Sequence, residues 1–346
     1  MMEKGIVELH EDLVSGKVTS DELVKESLRK CHELQDKCNA FVTIMDNTNG
    51  VEVTNSLLSG IPYGIKDNYS TKGILTTGSS NTLKDYVPFF DATSISNLKN
   101  NGAIGVAKCA MDEFGMGGTG TTAHTGIQRN PWDTERLCAG SSSGSAAAVA
   151  SGCFPYATGS DTGDSIRKPA AYCGIVGVKP TYGLISRWGL FAFASSMDHI
   201  GCFAKSVEDA AYVIDEVKGM DENDMTSFDS SNIKIVENLN NDVKGKKLFY
   251  IKELVEALKD DSKYYDNFMK TLDYAKELGI EVTEESIDAT LLKSLEPVYK
   301  AITCAEATSN NSNLTGIIYG PRSKDGNYKE IMKKEKRVLL FLFFVL

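Results

Sequence analysis

One stretch of this sequence restricts the possible folds more than any other, the run AGSSSGSAAAVASGCFPYATGSDTGDSIRKPAAYCGIVGVKP at 139–180. Glycine and serine crowd its beginning, small apolar residues follow, and a turn-prone Asp-Thr-Gly-Asp segment precedes Ser165. A flexible linker is the alternative interpretation, but linkers lack the AAAVA helix former and the Asp161, Arg167 and Pro169 found here. The stretch therefore predicts two parts of one site, joined by a helix of small residues.

Helix and strand patterns alternate along the rest of the chain. Thr19 and Glu22 form a capping-box signature, which predicts an amphipathic helix over 19–34. Further helices are predicted from a possible N-cap at Asp91 to Gly102, and at 206–217 and 264–279. Strands are predicted at 39–43, 60–66, 103–108 and 245–253. This alternation is typical of an α/β fold with a mostly parallel sheet.

The composition is that of a globular protein from a reducing compartment. With 346 residues, of which 42% are hydrophobic, the chain is long enough for a sizeable core. A net charge of −10 argues against direct adhesion to nucleic acid or to anionic membranes. The eight cysteines form no CxxC pair, which predicts packed thiols and no metal site. Because the N-terminus lacks a secretory signal, we expect a cytoplasmic protein.

The residues around Ser165 are of the kind that amide hydrolysis requires. That reaction needs an activated nucleophile, a base and donors that face the developing oxyanion, and the turn before Ser165 can present successive backbone N–H groups. None of the four histidines lies in a motif typical of a base, whereas a buried lysine can serve because desolvation lowers its pKa. Lys66, after the apolar run GIPYGI, is the candidate. The alternative for a lysine at a strand end is a surface residue or a partner of Asp67.

Ordered blocks along the chain resemble the amidase signature family. They are GIPYGIKDN at 60–68, MDEFGMG at 111–117, RNPWD at 129–133, AGSSSGSAAAVASG at 139–152, GSDTGDSIRKPAAYCGIVGVKPTYG at 159–183 and FASSMDHIG at 193–201. The resemblance implies one domain over 1–346, with a helical segment at about 1–50, a catalytic core at about 51–220 and an incomplete C-terminal part at about 221–346. The implied fold is α/β, with a central mixed, largely parallel sheet covered by helices on both faces.

The resemblance also implies the residues of the site. It makes Ser165 the nucleophile that forms an acyl-enzyme, Ser141 the bridge to the base and Lys66 the base, with a cis peptide next to Ser141. The implied oxyanion donors are the backbone N–H groups of Thr162, Gly163, Asp164 and Ser165. Supporting roles fall to Ser142, Asp161 and Arg167. Arg167 either holds a carboxylate or braces Asp161, and bracing is favoured because short-range Asp–Arg pairs commonly organise loops.

Within the family, the sequence is most similar to the glutamine-hydrolysing member of tRNA-dependent amidotransferases. The similarity implies that this chain releases ammonia from glutamine, that a partner B subunit uses the ammonia to convert Glu-tRNA(Gln) to Gln-tRNA(Gln), and that a small C subunit holds the pair together. ATP, Mg²⁺ and tRNA would be handled by the partner, since no GxxxxGK[ST] motif occurs and no cofactor is expected in this chain. Two alternatives stay open: a stand-alone amidase of small acyl amides, and a truncated homologue that is impaired or inactive.

The sequence departs from the family pattern in the site and at the C-terminus. Asp164 stands where a glycine is usual, Lys168 where glutamine is common, and Ala139 and Ser143 replace glycines. A left-handed backbone at Asp164 would cost about 1 kcal/mol. A carboxylate facing the oxyanion at about 5 Å would repel it by roughly 3 kcal/mol, on the order of a hundredfold in rate. The apolar end at 338–346 is too short for a membrane helix and predicts a buried strand or an altered reading frame.

Overall fold

The chain folds as an α/β protein, and its structure, a computed structural model, describes residues 2–317, 319–320 and 326–331. The strands are β1 Phe41–Ile44, β2 Pro62–Lys66, β3 Ile104–Cys109, β4 Tyr156–Asp161, β5 Val176–Val178, β6 His199–Ala204, β7 Lys247–Ile251 and β8 Glu281–Glu285. The helices are α1 Ile6–Val14, α2 Ser20–Cys38, α3 Thr93–Asn100, α4 Ser143–Ala150, α5 Arg167–Cys173, α6 Val207–Val217, α7 Lys252–Glu256, α8 Ser262–Glu277 and α9 Ala289–Asn310.

Two compact units are present. The larger is formed by the residues up to Val236 and from Thr303 onward, and the smaller by Glu237–Ile302. In the smaller unit, β7 and β8 pair in parallel and are connected through α7 and α8. That residues 1–346 form a single domain stays a prediction. The predicted apolar strand at 338–346 lies outside the described residues.

Six strands form the central sheet of the larger unit, in the order β1-β3-β2-β4-β6-β5. β2 is parallel to β3 and β4, as the helix–strand alternation predicts for strands joined through α3 and α4. β1 is antiparallel to β3, and β6 lies antiparallel between β4 and β5. The predicted mixed α/β fold is therefore confirmed, but the sheet is less parallel than predicted, because β1 and β6 run against the other four strands.

Helices flank this sheet in two groups. α2 through α6 contact its strands; α3 packs against α6, while α4 packs against α2 and α5. The small residues of α4 have a physical cause: a Cβ added at Gly144 would lie 2.1 Å from the carbonyl oxygen of Ala40. Only glycine allows this close approach of α4 to the strands. Within the described ranges, no helix is both long and apolar enough to span a bilayer.

The predicted cap of α2 forms in the structure, and that of α3 does not. Thr19 Oγ1 accepts a hydrogen bond from the Glu22 N–H at 3.2 Å, and the Glu22 carboxylate accepts one from the Thr19 N–H at 2.8 Å, so the capping box of α2 is confirmed. Asp91 is not the N-cap of α3, which begins after Ala92. Its carboxylate instead accepts from the Lys72 N–H at 2.8 Å and forms an ion pair with the Lys99 ammonium at 2.7 Å.

The cysteines behave as packed thiols, as the sequence predicts. All eight are free, seven of them are buried, and Cys304 is half-buried. Several contribute to the core of the larger unit, in which they pack with the aliphatic residues of α2, β3 and α4. Burial raises the pKa of the Cys202 thiol to about 12. A thiol of this kind stays protonated at neutral pH and acts as a small apolar side chain.

Candidate active site

Lys66 ends β2 and is fully buried. Its Nζ donates hydrogen bonds to Ser141 Oγ at 2.8 Å and to Ser160 Oγ at 2.8 Å, with a longer contact to the Ser160 carbonyl oxygen at 3.3 Å. Its backbone N–H is held by Thr158 Oγ1 at 2.9 Å. The ammonium group thus lies at the centre of three oxygens from β4 and from the loop before α4.

Burial lowers the pKa of Lys66 to about 7, although the carboxylates of Asp112, Asp161 and Asp198 act in the opposite direction. Desolvation penalises the charged form, and no carboxylate among the described residues forms an ion pair with this lysine. The adjacent Asp67 is not its partner, because that carboxylate accepts from Thr77 Oγ1 at 2.6 Å. The interpretation of Lys66 as a surface or salt-bridged residue is therefore wrong.

Ser141 lies in a tightly packed loop before α4. The peptide bond between Gly140 and Ser141 is cis, as the resemblance implies. The Ser141 carbonyl oxygen accepts from the Asp112 N–H at 3.0 Å, and the Gly140 N–H donates to the carbonyl oxygen of Gly118 at 3.0 Å. These two backbone hydrogen bonds tie the Ser141 loop to the Gly- and Thr-rich loop that begins at Asp112.

Gly140 has no room for a side chain, since an added Cβ would lie 2.0 Å from Asp112 Oδ2. We expect Gly140→Ala to lower the free energy of unfolding by about 3 kcal/mol and to displace Ser141, because overpacking forces the backbone to shift. Urea denaturation and the rate of reaction with a serine-directed probe test this. Gly73→Ala, at a positive φ but in open space, is the matched control and should cost only about 1 kcal/mol. Equal effects of the two substitutions would contradict the steric explanation.

Asp112 is a residue of the site that sequence reasoning missed. It is fully buried, and its carboxylate accepts hydrogen bonds from four successive backbone N–H groups, those of Thr119, Gly120, Thr121 and Thr122, at 3.0 to 3.3 Å. A carboxylate surrounded by N–H donors shapes a loop that has no regular secondary structure. The available signal was an aspartate followed by the run GMGGTGTT, in which the backbone donors need an acceptor.

Ser160 is the second missed residue. It lies at the end of β4, and its Oγ accepts from Lys66 Nζ and from Asn68 Nδ2 at 3.0 Å. Its carbonyl oxygen also accepts from Ser142 Oγ at 3.2 Å, which is the contact of the predicted supporting residue Ser142. Sequence reasoning passed over Ser160 because a serine in a strand has no distinctive pattern. Its role depends on the pairing of β2 with β4, which brings it opposite Lys66.

Ser165 lies in the turn between β4 and α5, where it is only 5% exposed. Its carbonyl oxygen accepts from the Ser142 N–H at 3.3 Å, which connects the two halves of the 139–180 stretch. In the described part of the chain, no hydrogen bond joins Ser165 Oγ to Ser141. The backbone N–H groups of 162–165 likewise donate to no described acceptor. Four successive donors beside a serine hydroxyl can bind an anionic oxygen.

Asp161 and Arg167 hold this turn in shape. Arg167 Nη2 and Nε contact the two carboxylate oxygens of Asp161 at 3.0 and 3.2 Å, and the Ile166 N–H donates to the same carboxylate at 2.9 Å. Burial alone would raise the pKa of Asp161, but Arg167 and the Ile166 N–H lower it below its ordinary value. Arg167 Nη2 also contacts the Gly163 carbonyl oxygen. The geometry is the bracing arrangement, since the guanidinium is occupied by the turn itself.

The structure corrects two expectations about Asp164. Among the described residues, positive φ outside glycine occurs only at Asn39, Ser79, Phe114 and Ala139, so Asp164 is not left-handed. Its carboxylate forms an ion pair with Lys168 Nζ at 2.6 Å, so it is not the lone carboxylate that the expected penalty assumes. Ala139, another departure, does adopt φ 59°, at a cost of about 1 kcal/mol.

No described histidine replaces the lysine. His199, the one nearest to the turn in the fold, has its Nδ1 2.6 Å from the Met197 carbonyl oxygen, and burial lowers the pKa of its ring. His32 lies beside Asp46 on the surface. All four histidines are among the described residues, and none hydrogen-bonds to Ser141 or Ser165. The hydroxyl-bearing site therefore has a lysine as its basic group.

Comparisons with known proteins identify the family of this chain. The family model for amidases matches residues 22–342. The A subunit of glutamyl-tRNA(Gln) amidotransferase from Lactobacillus gasseri is 42% identical over 327 residues, which span 94% of this chain and 67% of that protein. Its counterpart in Streptococcus pneumoniae is 42% identical over 339 residues, which span 95% of this chain and 69% of that protein. The crystal structure of the counterpart from Thermotoga maritima matches with a TM-score of 0.83 at 34% identity, covering 99% of this chain and 72% of that one.

The family match extends over both halves of the 139–180 stretch and over β2, which carries Lys66. The matched residues include Ser141 in the loop before α4 and Ser165 in the turn before α5. The similarity in sequence and in structure extends over nearly the whole chain and is not limited to short motifs. The chain belongs to the amidase signature family.

Proposed function

We propose that this chain is the glutamine-hydrolysing component of a tRNA-dependent amidotransferase that converts Glu-tRNA(Gln) to Gln-tRNA(Gln). One observation carries the chemistry: the buried Lys66, whose pKa lies at about 7, is 2.8 Å from Ser141 Oγ. A neutral amine at this distance can take a proton from a serine hydroxyl, as a general base must. The named relatives, which are the A subunits of such amidotransferases, support the choice of substrate.

In the proposed reaction, neutral Lys66 takes the proton of Ser141 while Ser141 takes the proton of Ser165. Ser165 Oγ attacks the carbonyl carbon of the glutamine side-chain amide, and the electron pair of the C=O bond moves to the oxygen. The N–H groups of 162–165 stabilise this oxyanion. When the intermediate collapses, the C–N bond breaks, the nitrogen takes the proton back through the serine–lysine relay, and ammonia leaves. Water then hydrolyses the acyl-enzyme to glutamate.

The partners belong to the same proposal. The amidotransferase's B subunit would receive the ammonia and would handle tRNA, ATP and Mg²⁺, and its small C subunit would hold the pair together. The acidic net charge of −10 supports leaving tRNA contacts to a partner. No cofactor is proposed for this chain. The eight free thiols fit a reducing compartment, and we assign the activity to the cytoplasm.

Ammonia release from ¹⁵N-amide glutamine tests the proposal directly. The purified chain is assayed alone and after reconstitution with the B and C subunits, with ¹⁵N-ammonia measured by mass spectrometry. We expect release that increases in the presence of both partners. No release in either assay would exclude the glutaminase function, and an inactive or impaired homologue would then be the better description.

A second candidate, the stand-alone amidase of small acyl amides, is favoured by a cavity of about 400 Å³. Six aromatic residues contribute to its walls, among them Tyr86, Phe114 and Trp188. Phe114 precedes Gly115, at which an added Cβ would lie 3.9 Å from Ser141 Oγ. The cavity adjoins the site without containing Lys66, Ser141 or Ser165. Faster hydrolysis of benzamide than of glutamine would establish this alternative.

The pH dependence of ammonia release should follow the deprotonation of Lys66. Because the base acts in its neutral form, we expect kcat/KM for ammonia release to increase about tenfold per pH unit below pH 7 and to level off above it. The measurement is a profile from pH 5.5 to 9, with stability checked at each pH by circular dichroism. A profile that is flat between pH 5.5 and 8.5 would rule out a lysine base with this pKa.

A further inference from the structure

Asp164 places a carboxylate immediately before Ser165, the nucleophile of the proposed function. During acylation a second negative charge develops on the substrate oxygen opposite the N–H groups of 162–165. Like charges within one short turn repel each other, and an unpaired carboxylate there would slow acylation by about tenfold or more. An acidic residue at this position therefore needs a compensating charge.

Lys168 provides that charge one helical turn later. Its Nζ lies 2.6 Å from Asp164 Oδ2, and its backbone N–H donates to the Asp164 carbonyl oxygen at 2.9 Å. The lysine side chain is 34% exposed and the aspartate side chain 46% exposed. Exposed ion pairs contribute little to stability, so the free energy of folding does not account for this pair.

A second contact holds the Lys168 ammonium over the site. A Cβ added at Gly118 would lie 2.9 Å from Lys168 Nζ, so the ammonium packs directly against the Gly118 backbone. The Gly118 carbonyl oxygen accepts from the Gly140 N–H at 3.0 Å. Lys168 is therefore placed between the turn of Ser165 and the loop that supports Ser141.

The neighbouring cation, Arg167, lies within electrostatic reach of Asp164 but forms its ion pair with Asp161. Arg167 is committed to Asp161 through contacts of 3.0 and 3.2 Å and to the Gly163 carbonyl oxygen. Within the described part of the chain, Lys168 is the residue that forms an ion pair with Asp164. The two positions that depart from the family pattern at this turn are thus in contact with each other.

We propose that Lys168 is a positioning residue for acylation, which neutralises and orients the Asp164 carboxylate so that it does not oppose the oxyanion. The inference rests on the proposed function of Ser165. It goes beyond that function because it assigns a role to a lysine outside the serine–lysine relay. It also accounts for the presence of an acidic residue beside the nucleophile.

The test is the rate at which an uncharged fluorophosphonate probe labels the full-length chain, because this reaction passes through an anionic intermediate and needs no glutamine. We expect Lys168→Gln to label about tenfold more slowly, Lys168→Arg to stay within about twofold of the unsubstituted chain, and Lys168→Gln combined with Asp164→Asn to recover most of the loss. In about 1 M NaCl the Lys168→Gln defect should shrink, because the Debye length falls to about 3 Å.

A matched control and the contrary outcomes complete the design. Lys276→Gln removes an exposed ion pair with Asp273 of similar length, 3.0 Å, and should not change labelling. An unchanged rate for Lys168→Gln would overturn the inference, as would a double variant as slow as Lys168→Gln, which would show a packing role. If Lys168→Gln does not fold, Lys168→Met makes the same comparison. Absence of labelling in the unsubstituted chain would instead refute the proposed function.

Discussion

Ser165→Ala should abolish labelling by a fluorophosphonate probe and lower the rate of ammonia release by about 10⁴-fold or more. The physical reason is that the acyl-enzyme needs the Ser165 oxygen, and the remaining oxyanion donors and binding contacts supply only a small part of the acceleration. The side chain is small and 5% exposed, so its removal should leave the fold intact. Intact-mass spectrometry after probe treatment, with ammonia release in parallel, measures both effects.

Ser151→Ala is the matched control for this experiment. Ser151 belongs to the same 139–180 stretch, follows α4, and has a buried hydroxyl with no described partner. Its removal should leave labelling unchanged. If Ser165→Ala were still labelled, peptide mapping of the adduct would identify the true nucleophile. An adduct on Ser141 would transfer the nucleophilic role to that residue.

Lys66→Met should remove at least about three orders of magnitude of activity and yet stabilise the protein at pH 6. Folded Lys66 has a pKa of about 7, whereas an unfolded lysine titrates near 10.4. Between these values only the unfolded chain holds the proton, so the stability of the unsubstituted protein falls as pH drops from 10 towards 7 and is lowest below 7. Below pH 7 both states hold the proton and the full cost of a buried charge is present. The advantage of methionine is therefore largest below pH 7.

From pH 6 to 9 this advantage should shrink by about 3 kcal/mol, which urea denaturation at pH 6, 7, 8 and 9 measures. Lys108→Met is the matched control, since Lys108 is also fully buried and burial lowers its pKa to about 8. Its Nζ donates to the Tyr69 carbonyl oxygen at 2.6 Å, to Thr71 Oγ1 and to Thr76 Oγ1, away from the site. The Lys108→Met variant should retain activity. A Lys66→Met stability difference that does not vary with pH would contradict the lowered pKa.

Helix ends could be predicted from the sequence where the capping residue and its partner lie within one turn of each other. The capping box at Thr19 forms, because both partners lie within one turn of helix. Ser206 caps α6 by accepting from the Asp209 N–H at 3.0 Å, as predicted. The interpretation of Asp91 as a cap is wrong for the opposite reason. Both partners of its carboxylate, the Lys99 ammonium and the Lys72 N–H, lie outside the first turn of α3.

Contacts between distant segments could not be predicted in this way. Nothing in the strand patterns indicates that β6 inserts antiparallel between β4 and β5, because strand order depends on the packing of the whole sheet. Lys66 and Lys108 illustrate the same limit. Both end up fully buried on adjacent strands, yet only Lys66 faces Ser141, and the direction of each side chain follows from the register of β2 and β3.

Residue identity alone specifies the parts of the site: small residues that allow α4 to pack closely, a turn with successive N–H donors before Ser165, and a lysine at the end of an apolar strand. Such properties depend on side-chain size and on local backbone preference. Long-range packing of the chain was needed to bring Lys66 to Ser141 and Ser160 at 2.8 Å and to pair Asp164 with Lys168. These contacts depend on sheet order and on burial, because desolvation and charge pairing are properties of the assembled fold.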